Sequence, residues 1–550
     1  MSFLGKRLII ITGCLLCANT LFAFSRQDTL RGSNGHGRNW WDVQQYKLDV
    51  LIDTATHTIS GSNTIQFKVL GKVKDSMQID LQEPMILDSA VLQDEVKVDF
   101  TREGSVYWLD YASASKQAKE SYSITLFYHG KPREAVKPPW DGGFIWTKDS
   151  LGNPWISVAC QGLGASSWWP CKDYQGDEPD KGTTTHFKVN MNQTTIVSNG
   201  IAYADAVIPG KALPSGFSYG THNPINTYNT TFYLGDYIPW ADTFQGVKGT
   251  LDISYYALKY HQEQAKAQFK QVKKMLEAFE YWFGPYPFYE DGYKIVEAPF
   301  LGMEHQSAIA YGNRYQMGYR GRDRSGTGVG LLFDFIIVHE SGHEWFGNNI
   351  TATDIADNWI HEGFTTYSET LFAEYWWGKE KAYAYTRGEW KNISNDRPVI
   401  GAYGVQDEGS GDKYDKASAL VHTIRLLMND DEKFRGMLHK MNDTFYHKQI
   451  SSKQMEDFII GYSGLPLGPI FNQYLRSTQL PELLIQHKEK TIAYKWKNAV
   501  ADFTLPITLM IGTQKIDIQP SGIWQKCSVA PTNDKCHIVE AFLFNTRYID

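Results

Sequence analysis

His339-Glu340-Ser341-Gly342-His343 sets two imidazoles four residues apart with a carboxylate between them. In a helix each residue turns about 100° and rises about 1.5 Å, so the histidines would lie about 40° apart on one face and about 6 Å apart along the axis. Two imidazoles so placed can share one Zn²⁺. Glu340, about 100° round from His339, can then reach a metal-bound water without being a ligand. Taken alone, such histidines could equally be core residues bonded to backbone or water. A third donor tips the balance, and Glu362 in Asn358-Trp359-Ile360-His361-Glu362-Gly363-Phe364 follows His343 after 18 intervening residues. That spacing suffices to finish one helix, cross a loop and return along a second. Two histidines and a glutamate leave a fourth tetrahedral position for water, the catalytic rather than the structural arrangement.

These donors need helices to hold them. The apolar run over 331–338 leads into the first histidine and predicts a helix over 331–346 ending at Gly347; a second is predicted over 357–377, ending at Gly378. Further helices are expected at 379–393, 414–428, 431–441, 453–461 and 467–477. A long one at 261–283 should stop at Gly284-Pro285, a helix-ending pair. Before it, from 46 to 233, apolar residues recur with period two, as in Tyr46, Leu48, Val50 and Ile52, which marks a β-rich unit. After Pro481 alternation returns, with strands expected at 491–496 and 503–510. The expected division is an N-terminal β-rich domain over 24–250, a catalytic domain over 251–480 and a C-terminal β-sandwich over 481–550.

At 550 residues, 42% of them hydrophobic and 14% aromatic, the chain can build several packed cores, which excludes global disorder and a single small module. A formal charge of −7 leaves no basic excess for a nucleic-acid backbone or an anionic membrane surface. Lys6 and Arg7, a mostly apolar stretch over 8–22 and Ala23 read as a signal peptide over 1–23, so the protein is expected to be exported, to the periplasm, cell surface or medium. No later stretch approaches the 18 apolar residues of a membrane span. Cys160 with Cys171, and Cys527 with Cys536, are spaced for short-loop disulfides in an oxidising compartment, with buried free thiols as the other reading.

His-Glu-x-x-His, 18 residues and then Glu, flanked by Trp345-Phe346-Gly347-Asn348 and Glu362-Gly363-Phe364, closely resembles the gluzincin aminopeptidases of peptidase family M1. Upstream, Leu301-Gly302-Met303-Glu304-His305 resembles the family's exopeptidase motif, with Leu301 in place of the first glycine and His305 in place of the asparagine. In relatives this edge strand pairs with substrate backbone and its glutamate binds the free α-amine. The resemblance therefore implies substrate-binding roles for Gly302, Met303 and Glu304. Tyr414-Asp415-Lys416-Ala417 resembles the segment whose tyrosine donates to the oxyanion, with Ala417 where glycine is usual. Ala159-Cys160-Gln161-Gly162 resembles the loop whose glutamine contacts the substrate amine.

What the resemblance implies is an α+β multidomain chain: an N-terminal β-saddle, a thermolysin-like α/β catalytic domain and a C-terminal β-sandwich, without the large C-terminal helical domain of many relatives, and so with a more open cleft. One zinc per chain would be held by His339, His343 and Glu362. Glu340 would be the general base and Tyr414 the oxyanion donor, with Glu304 and Gln161 gripping the amine of peptides that have a free N-terminus. Two other readings share the scaffold: a leukotriene A4 hydrolase-like epoxide hydrolase and an inert peptide-binding protein.

Overall fold

The computed structural model describes residues 24–111, 122–190, 194–203, 216–488, 490–530, 536–539 and 542–549. The expected signal peptide lies outside them. The N-terminal unit is built on an eight-stranded sheet. Its strand Trp41–Asp53 pairs antiparallel with Thr58–Val69 and parallel with Thr184–Val189. Tyr46, Leu48, Val50 and Ile52 are buried, as the period-two pattern requires, and a bulge between Val43 and Gln45 resets the alternation so that Val43 is buried too. A four-stranded sheet carries Pro154–Ala159, which delivers Cys160 and Gln161 to one end of the unit.

The hairpin Tyr237–Gly246 and Gly249–Leu258 does not belong to this β-rich unit, as a boundary at residue 250 would require. Gly249–Leu258 pairs parallel with Tyr293–Glu297, inside a five-stranded sheet that ends on the short edge strand Gly302–Met303. The sheets divide near Gly235, about one strand earlier than expected. Alternation continues across this point, and periodicity cannot tell which sheet a strand will join. Along the inner strand Tyr293–Glu297 and the strands Ile309–Tyr311 and Gly302–Met303, both faces of the five-stranded sheet are buried. Ile295, Ile309 and Tyr311 face the helical core, whereas Val296, Met303, Ala308 and Ala310 belong to the core of the N-terminal unit. The edge strand is thereby clamped between two cores.

Two helices differ clearly from the sequence reading. The expected 261–283 helix is two, Gln262–Gln268 and Gln271–Phe283, the second ending at Gly284. The helix expected over 331–346 is only Phe335–Gly342. Asp334, inside the stretch expected to be helical, is its N-cap and accepts from the backbone N–H of Ile336 and Ile337 at 3.0 and 3.4 Å. The same carboxylate accepts from Tyr311 Oη, Gln268 Nε2 and Asn313 Nδ2 at 2.7 to 2.8 Å, which ties the helix start to the sheet. The second ligand-bearing helix runs Trp359–Trp377 and stops at Gly378.

After 481 the chain forms a four-stranded sheet and a three-stranded sheet whose Leu483, Ile485, Trp496 and Leu509 join the helical core. The expected 503–510 strand is Ile507–Ile511. All four described cysteines are free thiols, so the expected disulfides are not formed. Cys160 is buried at the end of its strand with its thiol on the Tyr228 carbonyl at 3.3 Å, while Cys171 sits in a backbone bridge to Asp80. Cys527 and Cys536 lie on strands of different sheets. Close sequence spacing did not bring either pair into bonding geometry. Among the described residues no helix is long and apolar enough to cross a membrane.

Candidate active site

The Phe335–Gly342 helix carries His339 and Glu340, and His343 caps its C-terminal end. The rings of His339 and His343 lie 5.1 Å apart between centroids, near the axial spacing that the four-residue repeat demands. The Trp359–Trp377 helix packs alongside and presents Glu362 from its first turn. Glu362 Oε2 approaches His343 Nε2 to 3.3 Å and His339 Nε2 to 3.8 Å. One ligand atom from each of the three residues falls within 4.8 Å of the others.

The donor set fits a zinc ion on two counts. Glu362 Oε2 is buried and has no hydrogen-bond partner among the described residues, an arrangement that would otherwise cost about 1–3 kcal/mol. Both histidines have their far nitrogens engaged: His339 Nδ1 meets Glu369 Oε1 at 2.7 Å, and His343 Nδ1 meets the Phe346 carbonyl at 3.0 Å. Nε2 of each is thereby left as the lone-pair donor facing the gap. Glu369 is itself fixed by the Tyr385 hydroxyl, which donates to Oε2 at 2.5 Å.

Glu369 and Tyr385 were not found from the sequence. Glu369 lies seven residues after Glu362, two turns along the same helix face, which is the signal that would have found it.

The carboxylate of Glu340 faces the edge strand. A Cβ on Gly302 would stand 2.5 Å from Glu340 Oε1, so a larger residue there would push that carboxylate out of place. Burial raises the Glu340 carboxyl to about 7, partly opposed by His339 and His343. Gly302 and Met303 pair with Tyr311 and Ala310 on one side only, which leaves the strand's outer edge open to the cleft. Leu301, where the family motif has glycine, is buried and lines that cleft. His305, where the motif has asparagine, turns away from it. It is buried with Nδ1 2.6 Å from Tyr233 Oη, and burial lowers its pKa to about 3, so the ring is neutral. His305 therefore packs the edge strand onto the N-terminal core.

Glu304 and Gln161, from different domains, meet here. Gln161 Nε2 donates to Glu304 Oε1 at 2.5 Å and to Glu362 Oε1 at 3.2 Å; Tyr228 Oη adds 3.3 Å to Glu304. The Glu304 backbone carbonyl accepts from Asn348 Nδ2 at 2.8 Å, and that amide also donates to Glu344 Oε1 at 2.9 Å. This gives the Trp-Phe-Gly-Asn flank of the histidine motif a physical task. Tyr414 caps the Asp415–Met428 helix and donates to Glu362 Oε1 at 2.9 Å. Burial, then Glu362, pushes its hydroxyl well above the ordinary range, so it keeps its proton and remains a donor. All the expected site residues line one cleft of about 590 Å³.

A fold of a β-rich unit, a five-stranded sheet with a helical core and a short β-sandwich, carrying this His-His-Glu set, defines a metallopeptidase scaffold. Sequence comparison agrees: residues 43–222 match the peptidase M1 N-terminal domain and residues 267–474 the peptidase family M1 domain. The chain belongs to peptidase family M1. It is 23% identical over 331 residues to leukotriene A-4 hydrolase of Xenopus laevis, covering 56% of this chain and 50% of that one. With aminopeptidase B of Mus musculus it shares 26% over 270 residues, covering 45% and 38%. The chain thus spans about half or less of these relatives' length. Among solved structures, an M1 zinc metallopeptidase of Deinococcus radiodurans bound to a Tyr-Ser-Ala substrate superimposes with a TM-score of 0.67 at 19% identity, covering 81% of this chain and 96% of that one. Native yeast LTA4 hydrolase gives 0.65 at 18% identity, covering 80% and 69%.

Proposed function

We propose that this protein is an exported zinc aminopeptidase that removes the first residue from peptides with a free N-terminus. The observation that carries the reading is the Gln161–Glu304–Glu362 cluster. It sets a carboxylate pair and the Gln161 side-chain amide beside the zinc donors, with Glu304 and Glu340 offering oxygens within 4.8 Å of one another. A substrate ammonium held there puts the first peptide bond, and no later one, over the reaction centre. An endopeptidase would have no use for Glu304.

His339, His343 and Glu362 would hold a zinc ion, which would supply Lewis acidity and lower the pKa of water at the site towards about 7. Glu340 takes a proton from the attacking water and then hands it to the leaving amine, a role worth about 10²- to 10⁴-fold in rate. Its raised pKa suits both halves of the exchange. Tyr414 donates to the carbonyl oxygen as negative charge grows there. The open edge of Gly302–Met303 pairs with the substrate backbone, and its register keeps the scissile bond in line. Leu301 does not disturb this, because the strand needs its backbone and not its side chain.

A panel of aminoacyl fluorogenic substrates, run with and without chelator, tests the proposal. Turnover that the chelator abolishes and zinc restores is expected, together with loss of cleavage when the peptide is N-acetylated. Equal cleavage of the acetylated peptide would point to an endopeptidase instead.

A further inference from the structure

One charged pair in the cleft has no part in the chemistry above. The loop leading to Tyr414 lies against the amine-contact loop, with Gln406 Nε2 donating to the Gly162 carbonyl at 2.6 Å. A Cβ on Gly162, whose φ is +71°, would stand 2.3 Å from Glu408 Oε1, so Glu408 abuts the residue next to Gln161. Lys413 Nζ donates to the other oxygen of Glu408 and lies 5.7 Å from the Tyr414 ring centroid. Both side chains line the cleft beside Gln161 and Glu304. The loop is stiff: Asp407 accepts from the backbone N–H of Ala402 and Gly409 at 2.9 and 3.1 Å and pairs with Arg397. The Lys413 side chain is 9% exposed and that of Glu408 35%, so the pair is partly shielded from water and open on the acid's side.

This deepens the aminopeptidase reading and rests on it. With the ammonium at Glu304 and Gln161 and the first carbonyl over the zinc donors, the α-carbon of the first residue lies between them. Its side chain then has the Gln161 side of the cleft, lined by Glu408 and Lys413, open to it. We infer that the Lys413–Glu408 pair forms the floor of the pocket for the N-terminal side chain and, by cancelling its own charge, selects uncharged first residues. Glu408 alone would draw a lysine or arginine side chain, and Lys413 alone an aspartate or glutamate. A unit charge about 6 Å away at an effective dielectric near 20 changes binding by about 100-fold, and water on the open side brings the expected effect to roughly 10- to 100-fold.

The test measures kcat/KM of the zinc-loaded enzyme for arginyl, leucyl and glutamyl fluorogenic amides, and competitive inhibition by free arginine, leucine and glutamate, which reads binding without turnover. Lys413→Met should raise the Arg/Leu ratio at least tenfold in both measurements. Glu408→Gln should lower that ratio and raise Glu/Leu. The exchanged pair, Glu408→Lys with Lys413→Glu, should return the ratios towards the parent values. Ratios within twofold of the parent in both single variants overturn the inference while leaving the aminopeptidase reading intact. A parent enzyme that turns over none of the three substrates overturns both. Should Lys413→Met fail to fold, Glu408→Gln decides by the same ratios.

Discussion

Glu369 gives the sharpest test of how this site holds its metal. Its carboxylate is fully buried, with Oε1 2.7 Å from His339 Nδ1 and Oε2 accepting the Tyr385 hydroxyl at 2.5 Å. Replacing it with alanine removes the acceptor that fixes the His339 ring and leaves two buried donors unpartnered. Removing such an outer-shell carboxylate typically costs 10- to 100-fold in metal affinity, about 1.4–2.7 kcal/mol. The orphaned Tyr385 hydroxyl adds about 1–3 kcal/mol of lost stability. Glu369→Gln keeps an acceptor for the ring and loses only the charge, so it should fall between parent and alanine. The assay is competition for zinc against a chromophoric chelator, with a thermal melt of the apo and loaded forms. A folded Glu369→Ala protein that binds zinc within twofold of the parent would refute the argument that this carboxylate orients the ligand.

Glu340→Gln should lower kcat by about 10²- to 10⁴-fold with zinc content unchanged, read by turnover and elemental analysis of one preparation. Gly302→Ala should lower kcat by about 100-fold in a folded, zinc-replete enzyme, because the added methyl meets Glu340 Oε1 at 2.5 Å and displaces the base; unaltered kcat would show that the strand can yield. Asp334→Ala should destabilise the protein by about 2 kcal/mol or more in a denaturant titration, since it removes an N-cap and strands the three side-chain donors that share its carboxylate. Burial raises Glu178 from an ordinary 4.5 to about 7, and it accepts from Gln449 Nε2 at 2.5 Å between the β-rich and catalytic units. An acid whose folded pKa is the higher binds its proton more tightly when folded, so it contributes stability at low pH that is lost as pH rises from about 4.5 through 7. Glu178→Gln should remove that part of the decline, and a parent-minus-variant stability difference that stays flat across the window would count against it.

How much of the site was legible follows from the range of each interaction. The His339, His343 and Glu362 set could be read because a helix repeats every 3.6 residues and a short loop must return the chain, so identity and spacing alone bring the donors together. The roles of Glu304, Gln161 and Tyr414 could be named only by resemblance, since no local period links residues 161, 304 and 414. Folding supplied the 2.5 Å contact from Gln161 to Glu304. His305, which stands where the motif has asparagine, turned inward to Tyr233, a contact that no local pattern announces. The cysteine pairs mislead because closeness in sequence does not set bonding geometry: Cys527 and Cys536 are carried on strands of different sheets. The amino-acid sequence fixed the chemistry whose partners lie within a turn or two of one another. Tertiary structure alone decided which sheet took the Tyr237–Leu258 hairpin, what steadies His339 from behind, and which charges meet beside the amine. Pairing between distant segments depends on the shape of whole surfaces, and no window of sequence contains that shape.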